Sequence, residues 1–319
     1  MISIAQYLDF LEREYLADYI QGGGAAVKFA TAQDGPAERL RAGLLERARS
    51  QGYVVATVDA AHVKVHMIDK VFSAIADQID WEDGARTVVR LALQRLGFRI
   101  PGDGDLSLDR LAAENVYEAS ELRRDLLRAL QQEILEDYEL THEFRLAMLR
   151  LCQAEVDRSD ATRTERDFVL LWLRGELRLI SSLKQARIYQ RIARHNARDM
   201  LASLTRWVVK TGRPGLTLDI DLRRCALTKR PDDGLLFYSK AAVLDAYELL
   251  RQLIDATDEL SSCFCLVTIA PETLTDPKRG IDQHYDALKY RIWDEVRDRV
   301  RTNPLAALVR TAGDGAEPW

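Results

Sequence analysis

The sequence predicts an α/β fold, a parallel sheet built from both ends of the chain and interrupted by a large helical insertion. Three observations carry this. The short apolar run Ala25 to Thr31 is followed by a break, an amphipathic helical stretch and a second apolar, β-branched run, Tyr53 to Asp59. That strand–helix–strand order is the pattern of a parallel pair. Strand character returns only at Gly215 to Asp221 and at Cys263 to Ala270. Between these ends, residues 66 to about 210 keep a helical period, broken at Gly84, at Gly97 and at Pro101-Gly102-Asp103-Gly104. The expected organisation is one domain over 1–319, with a core from 1–65 and 186–319 and an insertion over about 66–185.

In chain order, Ile4, Tyr7, Leu8, Leu11, Tyr15, Leu16 and Tyr19 have helical spacing, and Gln21-Gly22-Gly23-Gly24 ends that helix. Pro36 suits the first turn of the next helix, about 36–50, which points Leu40, Leu44 and Leu45 inward. A long helix is expected over about 184–210, stopping before Gly212. Helices are also expected over about 239–256 and 282–301, with a frayed tail from Thr311. Trp172, Trp207 and Trp293 have apolar neighbours at helical spacing and are expected in the core.

The bulk numbers exclude several classes. Apolar residues make up 47% and charged residues 30%, a globular balance. The net charge of −5 argues against a bulk polyanion binder, so nucleic-acid contact requires a local patch. Four scattered cysteines give no disulfide framework, and the Cys263-x-Cys265 pair lacks the second pair that a zinc site needs. It reads instead as part of a buried strand. His62 and His66 lie four apart but have no partner set, so no metal site is expected. No G-x-S-x-G elbow is present. The acidic start has no signal-peptide core, and no apolar stretch is long enough to span a bilayer, so a cytoplasmic protein without membrane contact is expected.

The first strand–loop–helix is where phosphate chemistry belongs. A P-loop is G-x-x-x-x-G-K-[ST], whose backbone N–H groups wrap phosphates, whose Lys neutralises them and whose hydroxyl holds Mg²⁺. The octapeptide here is Ala32-Gln33-Asp34-Gly35-Pro36-Ala37-Glu38-Arg39. Alanines replace both glycines, Glu38 stands for the Lys and Arg39 for the hydroxyl. A carboxylate facing a phosphate at contact costs about 4 kcal/mol per pair at an intermediate dielectric. The second motif is an apolar strand ending in the metal-side carboxylate, then a catalytic acid. Leu216 to Asp221 supplies the strand and Asp221 the carboxylate, but Leu222 replaces the acid. Alternation puts Asp219 on the same face as Asp221.

Taken together, these stretches resemble the ATP-binding proteins of bacteriophage-exclusion (BREX) defence systems, a P-loop group related to AAA+/STAND ATPases. The resemblance is carried by Tyr19-Ile20-Gln21-Gly22-Gly23-Gly24-Ala25-Ala26-Val27-Lys28-Phe29, Val54 to Asp59 and Trp172-Leu173-Arg174-Gly175-Glu176. It continues through Ile192 to Leu204, Gly215-Leu216, Arg279-Gly280 and Tyr285 to Arg291. It implies a P-loop NTPase-like core, and a role beside an active ATPase of the same family and other defence proteins. With both motifs degraded, the expected protein is a pseudo-ATPase, a structural or regulatory subunit that is not itself an enzyme. ATP and Mg²⁺ are weakened as ligands, with Gly35, Arg39, Asp221 and Arg291 as the residues that would contact nucleotide. The second functional alternative is an ATP-binding protein with an atypical P-loop, using Lys28 or Arg39 together with Asp221. The resemblance makes Arg291 a candidate phosphate-sensing or finger arginine; the alternative is a helix-surface pair with Glu295.

One local charge anomaly stands apart. Residues 174 to 213 carry ten Lys or Arg against Glu176 and Asp199. On the expected long helix, Arg187, Arg191, Arg194 and Arg198 share a face. That face suits DNA phosphates or an acidic partner, or else pairs with the acidic stretch Glu133, Glu136, Asp137, Glu139 and Glu143 of the same chain. A DNA-binding module without nucleotide chemistry is therefore the third functional alternative.

Overall fold

The computed structural model describes residues 2–32, 34–293 and 303–312. The chain divides into two compact units, residues 1–78 with 213–319, and residues 79–212.

The first unit is a parallel sheet with helices on it. In chain order it contains β1 (Ile2–Ser3), α1 (Ile4–Phe10) running on as a π-helical segment Leu11–Tyr19, β2 (Ala25–Thr31), α2 (Asp34–Ser50), β3 (Val54–Asp59) and α3 (Ile68–Ala76). The strands β4 (Leu216–Asp221), β5 (Cys263–Ile269) and β6 (Leu308–Ala312) complete the sheet. The strand order is β1-β6-β2-β5-β4-β3, and every pairing is parallel. From β2 the chain jumps to the edge at β3, steps back through β4 and β5, and then crosses β2 to reach β6. The carboxyl end of β2 is thus a topological switch point, where open α/β sheets bind ligands.

Local chemistry explains the elements. β2, β3, β4 and β5 coincide with the expected apolar runs to within a residue. Gly22 and Gly24 donate to the carbonyls of Asp18 and Tyr19, and Gly23 takes a positive φ of 99°, closing the first helix. Gly215 precedes β4 where a Cβ would lie 2.2 Å from the Ser262 carbonyl oxygen. β4 is buried along its whole length, as is β5, so Cys263 and Cys265 are core residues. One face of the sheet carries a core of Tyr7, Leu11, Leu16, Leu40, Leu44 and Phe264, supplied by α1, its π-helical extension, α2 and β5. Ser239 caps the helix Lys240–Asp255 by accepting from Ala242 N. The expected helix 282–301 is seen as two pieces, Ile281–His284 and Asp286–Ile292. Its remainder lies outside the described residues, as does the tail beyond Ala312. β1 and β6 were not expected.

The second unit contains α4 (Trp81–Arg95), α5 (Leu108–Asn115), α6 (Ala119–Leu130), α7 (His142–Val156), α8 (Asp160–Leu173) and α9 (Ala197–Lys210). Phe144 joins Trp81 and Trp207 edge-on, with ring centroids 6.1 and 6.4 Å away. Trp172 and Trp207 are buried as expected, whereas Trp293 in the first unit is half-buried. The expected helix 184–210 is corrected to α9 alone. Residues 184–196 are turns and irregular backbone. Arg187 sits at φ 60°, and the Asn196 side chain accepts from Ala193 N and donates to the Arg191 carbonyl. Both features divert the backbone from the helical ladder.

Lys28 on β2 is buried, and no carboxylate pairs with it among the described residues. Its Nζ donates to the carbonyls of Leu305 (2.6 Å) and Ala306 (3.0 Å) and lies 4.8 Å from the Tyr15 ring centre. Burial pulls its pKa down to about 8. The charged form is therefore penalised in the folded chain, and the penalty is relieved as pH rises through 8 toward the unfolded lysine value. Unfolding free energy, measured against Lys28→Met as reference, rises by about 3 kcal/mol between neutral pH and pH about 10.5. A difference between the two proteins that does not change with pH contradicts the assignment.

Candidate functional site

The carboxyl ends of β2 and β4 hold a closed ionic cluster. β2 ends at Thr31 and α2 starts at Asp34, so the connection is residues 32–33. Six positions of the octapeptide expected as a loop are instead the first turns of a helix. Only two residues thus separate strand from helix, fewer than a phosphate-wrapping loop uses. Gly35 and Arg39 both lie exposed on α2, and Arg39 makes no ion pair among the described residues.

Two arginines that the sequence reading passed over fill the site. Arg41, on the second turn of α2, donates through Nε to both oxygens of Asp219 (3.0 and 2.9 Å) and through Nη1 to Asp221 Oδ2 (2.6 Å). Its Nη2 is 2.9 Å from Asp219 Oδ2. The expected shared face of Asp219 and Asp221 is what lets one guanidinium reach both. Arg223 approaches from the other side. Its main-chain N donates to Asp221 Oδ1 (3.0 Å), its Nε to Oδ1 (3.1 Å) and its Nη2 to Oδ2 (2.7 Å). Its Nη1 also bonds Asp34 Oδ1 (2.9 Å), and its Nη2 is 3.5 Å from Glu38 Oε1. The signal for Arg41 was its spacing: Asp34, Glu38 and Arg41 stand at i, i+4 and i+7, one helix face. The signal for Arg223 was its place two residues past Asp221.

Burial makes the inner part of this cluster matter. The Asp219 and Asp221 side chains are 1% and 7% exposed, whereas those of Asp34 and Glu38 are 93% and 69% exposed. The contacts to Asp34 and Glu38 are therefore solvent-screened and weak. A carboxylate has about four lone-pair positions. For Asp221 these are met by Arg41 Nη1, Arg223 N, Arg223 Nε and Arg223 Nη2. Burial pushes the Asp221 carboxyl up, but the Arg223 hydrogen bonds outweigh it and hold the group below the usual carboxylate range. Asp219 goes the other way. Its burial dominates, and even with Arg41 its pKa lies above the usual value. The Arg223 guanidinium is raised by its hydrogen bond to Asp221. A magnesium ion at Asp221 would have to displace a guanidinium and leave it beside a dication.

The other expected site residues are elsewhere. Leu222, at the position of the catalytic acid, is buried and donates its N–H to the Thr268 carbonyl (2.8 Å). Lys28 is spent on Leu305 and Ala306 as described. Arg291 is bound to Asp255 through Nε (2.5 Å) and Nη2 (2.9 Å) and to the Ala287 carbonyl. Its expected partner Glu295 lies outside the described residues. In the second unit, Arg198 is on α9, while Arg187, Arg191 and Arg194 lie in the irregular stretch before it, so the four do not share a helix face. Part of the expected internal pairing is present further along α9. Arg206 meets Glu139 at 3.0 Å and Lys210 meets Asp137 at 2.8 Å.

A parallel sheet with a strand-end aspartate beside a switch point defines the P-loop-like class of α/β proteins. The chain belongs, more narrowly, to the family described as BREX system ATP-binding protein BrxC/D, whose model matches residues 11–312. No curated protein and no solved structure matches it. Among the described residues, no helix is long and apolar enough to cross a membrane.

Removing Arg41 leaves Asp219 buried and unpaired. Arg41→Ala is expected to lower unfolding free energy by about 3–5 kcal/mol in urea titrations at neutral pH. The loss shrinks as pH falls, because Asp219, its pKa raised further, then protonates. Arg41→Met combined with Asp219→Leu recovers most of the loss. A single variant as stable as the parent contradicts this account.

Proposed function

We propose that this chain is a non-hydrolysing subunit of a BREX anti-phage system, acting on an ATP-hydrolysing partner of its own family. The observation that carries the proposal is the saturation of Asp221. The carboxylate that would serve the metal is filled by Arg41 and Arg223. Three further features support it. α2 begins too soon after β2 for a phosphate loop, Glu38 replaces the phosphate-binding Lys, and Leu222 replaces the acid that would orient water.

On this proposal the sheet and its helices are kept for assembly, and the two arginines replace the stabilisation that nucleotide gives to an active relative. The chain changes the partner's turnover by packing against it rather than by cycling itself. Arg291 reaches a partner's phosphates only by giving up Asp255, so the Asp255 pairing sets how available it is.

The test is reconstitution with a member of the family that keeps an intact P-loop. Adding this chain in equimolar amount is expected to change the partner's steady-state ATP hydrolysis several-fold, while this chain alone shows no turnover. Hydrolysis by the isolated chain, lost on Asp221→Ala, overturns the proposal. A partner rate that is the same with and without the chain does so too.

A further inference from the structure

We propose that the largely irregular segment 178–196 of the second unit is a binding strap for single-stranded nucleic acid. The chain as a whole is acidic, yet between Arg174 and Arg198 seven cations face only Glu176. The structure divides the basic run into two halves with different chemistry. The far half is neutralised inside the unit, with Arg206 on Glu139 and Lys210 on Asp137. Three cations of the near half are not. The side chains of Lys184, Arg187 and Arg194 are exposed and make no hydrogen bond or ion pair among the described residues.

Past a short 3-10 turn at Ile180–Leu183 the segment is irregular up to α9, but it is fastened. Leu183, Ala186 and Ile188 are buried. Trp172 Nε1 donates to the Gln190 carbonyl (2.8 Å), and Arg150 Nη2 donates to that of Gln185 (3.1 Å). Arg191 donates to the Arg178 carbonyl. Arg187 takes a left-handed φ of 60°, a conformation that costs a non-glycine residue free energy and is held by its surroundings. Cations are thus displayed from a fixed backbone, and Tyr189, 65% exposed, stands between Arg187 and Arg191.

Arginine-rich display suits phosphates, because a guanidinium meets phosphate oxygens with paired donors. An exposed aromatic among cations adds a stacking platform. Only an unpaired base has a free face to lay on it, which selects single strands over duplex. An acidic protein surface would use the cations but has no need of the exposed ring.

The test is fluorescence anisotropy with a labelled oligo(dT) of about 20 nucleotides and a duplex of equal length, between about 50 and 200 mM salt. The parent is expected to bind the single strand more tightly than the duplex. The combined Lys184→Ala, Arg187→Gly and Arg194→Ala variant lowers the log–log salt slope by about 2. Tyr189→Ser weakens the single strand by roughly tenfold and leaves the duplex unchanged, while Tyr189→Phe keeps the parent affinity. The tyrosine pair carries the test if the triple variant does not fold. No retention of oligo(dT) at the lowest salt overturns the proposal. So does equal retention of polyglutamate, which would mark an acidic-protein surface, or equal loss of both nucleic acids on Tyr189→Ser.

Discussion

The carboxyl edge of the sheet is governed by the need to keep Asp219 and Asp221 charged where water does not reach. Two carboxylates on one strand face, two residues apart, repel each other, and burial adds a desolvation cost to each. Arg41 answers both at once, from a helix that must therefore lie close over β4. Arg223 completes Asp221 from the strand's own continuation. Removing Arg41 would leave Asp219 buried and unpaired, and removing Arg223 would strip Asp221 of most of its hydrogen bonds, so the position of α2 and the turn after β4 depend on the same four side chains.

That constraint also accounts for the site's chemistry. In a phosphate-binding loop the strand runs into several free residues before the helix begins, and the exposed N–H groups hold the ligand. Here α2 takes over almost at once after β2, and its first turns present Asp34 and Glu38. The negative charge that a triphosphate would bring is already supplied by the chain, and so is the positive charge that Mg²⁺ would bring. The two substitutions are complementary. An acidic helix start would be repulsive beside a vacant Asp221, and Arg223, bound to Asp34 and near Glu38, is what reconciles them.

Much of this was legible in the residues. The strands β2, β3, β4 and β5 stand out as short β-branched or apolar runs, and the shared face of Asp219 and Asp221 follows from alternation. β1 and β6 were not legible. They are short, and their strand character comes from pairing with partners far along the chain, β6 beside β2 and β1 beside β6. The helix expected over 184–210 forms only from Ala197, because the helical period is not kept where the apolar anchors Leu183, Ala186 and Ile188 fasten an irregular segment. Arg41 and Arg223 were missed for a related reason. A P-loop pattern specifies the residues that hold a ligand, and these two act by filling the positions its ligands would occupy.

The central claim is that Asp221 has no capacity left for a metal and its nucleotide. Thermal unfolding of the purified chain with and without millimolar Mg-ATP tests it most directly. A ligand present at about 100 times its dissociation constant adds about 2.7 kcal/mol to the native state, a shift of several degrees. The account predicts an unchanged midpoint. A shift of several degrees that disappears in Asp221→Ala would show that Arg41 and Arg223 yield to nucleotide, and would contradict it.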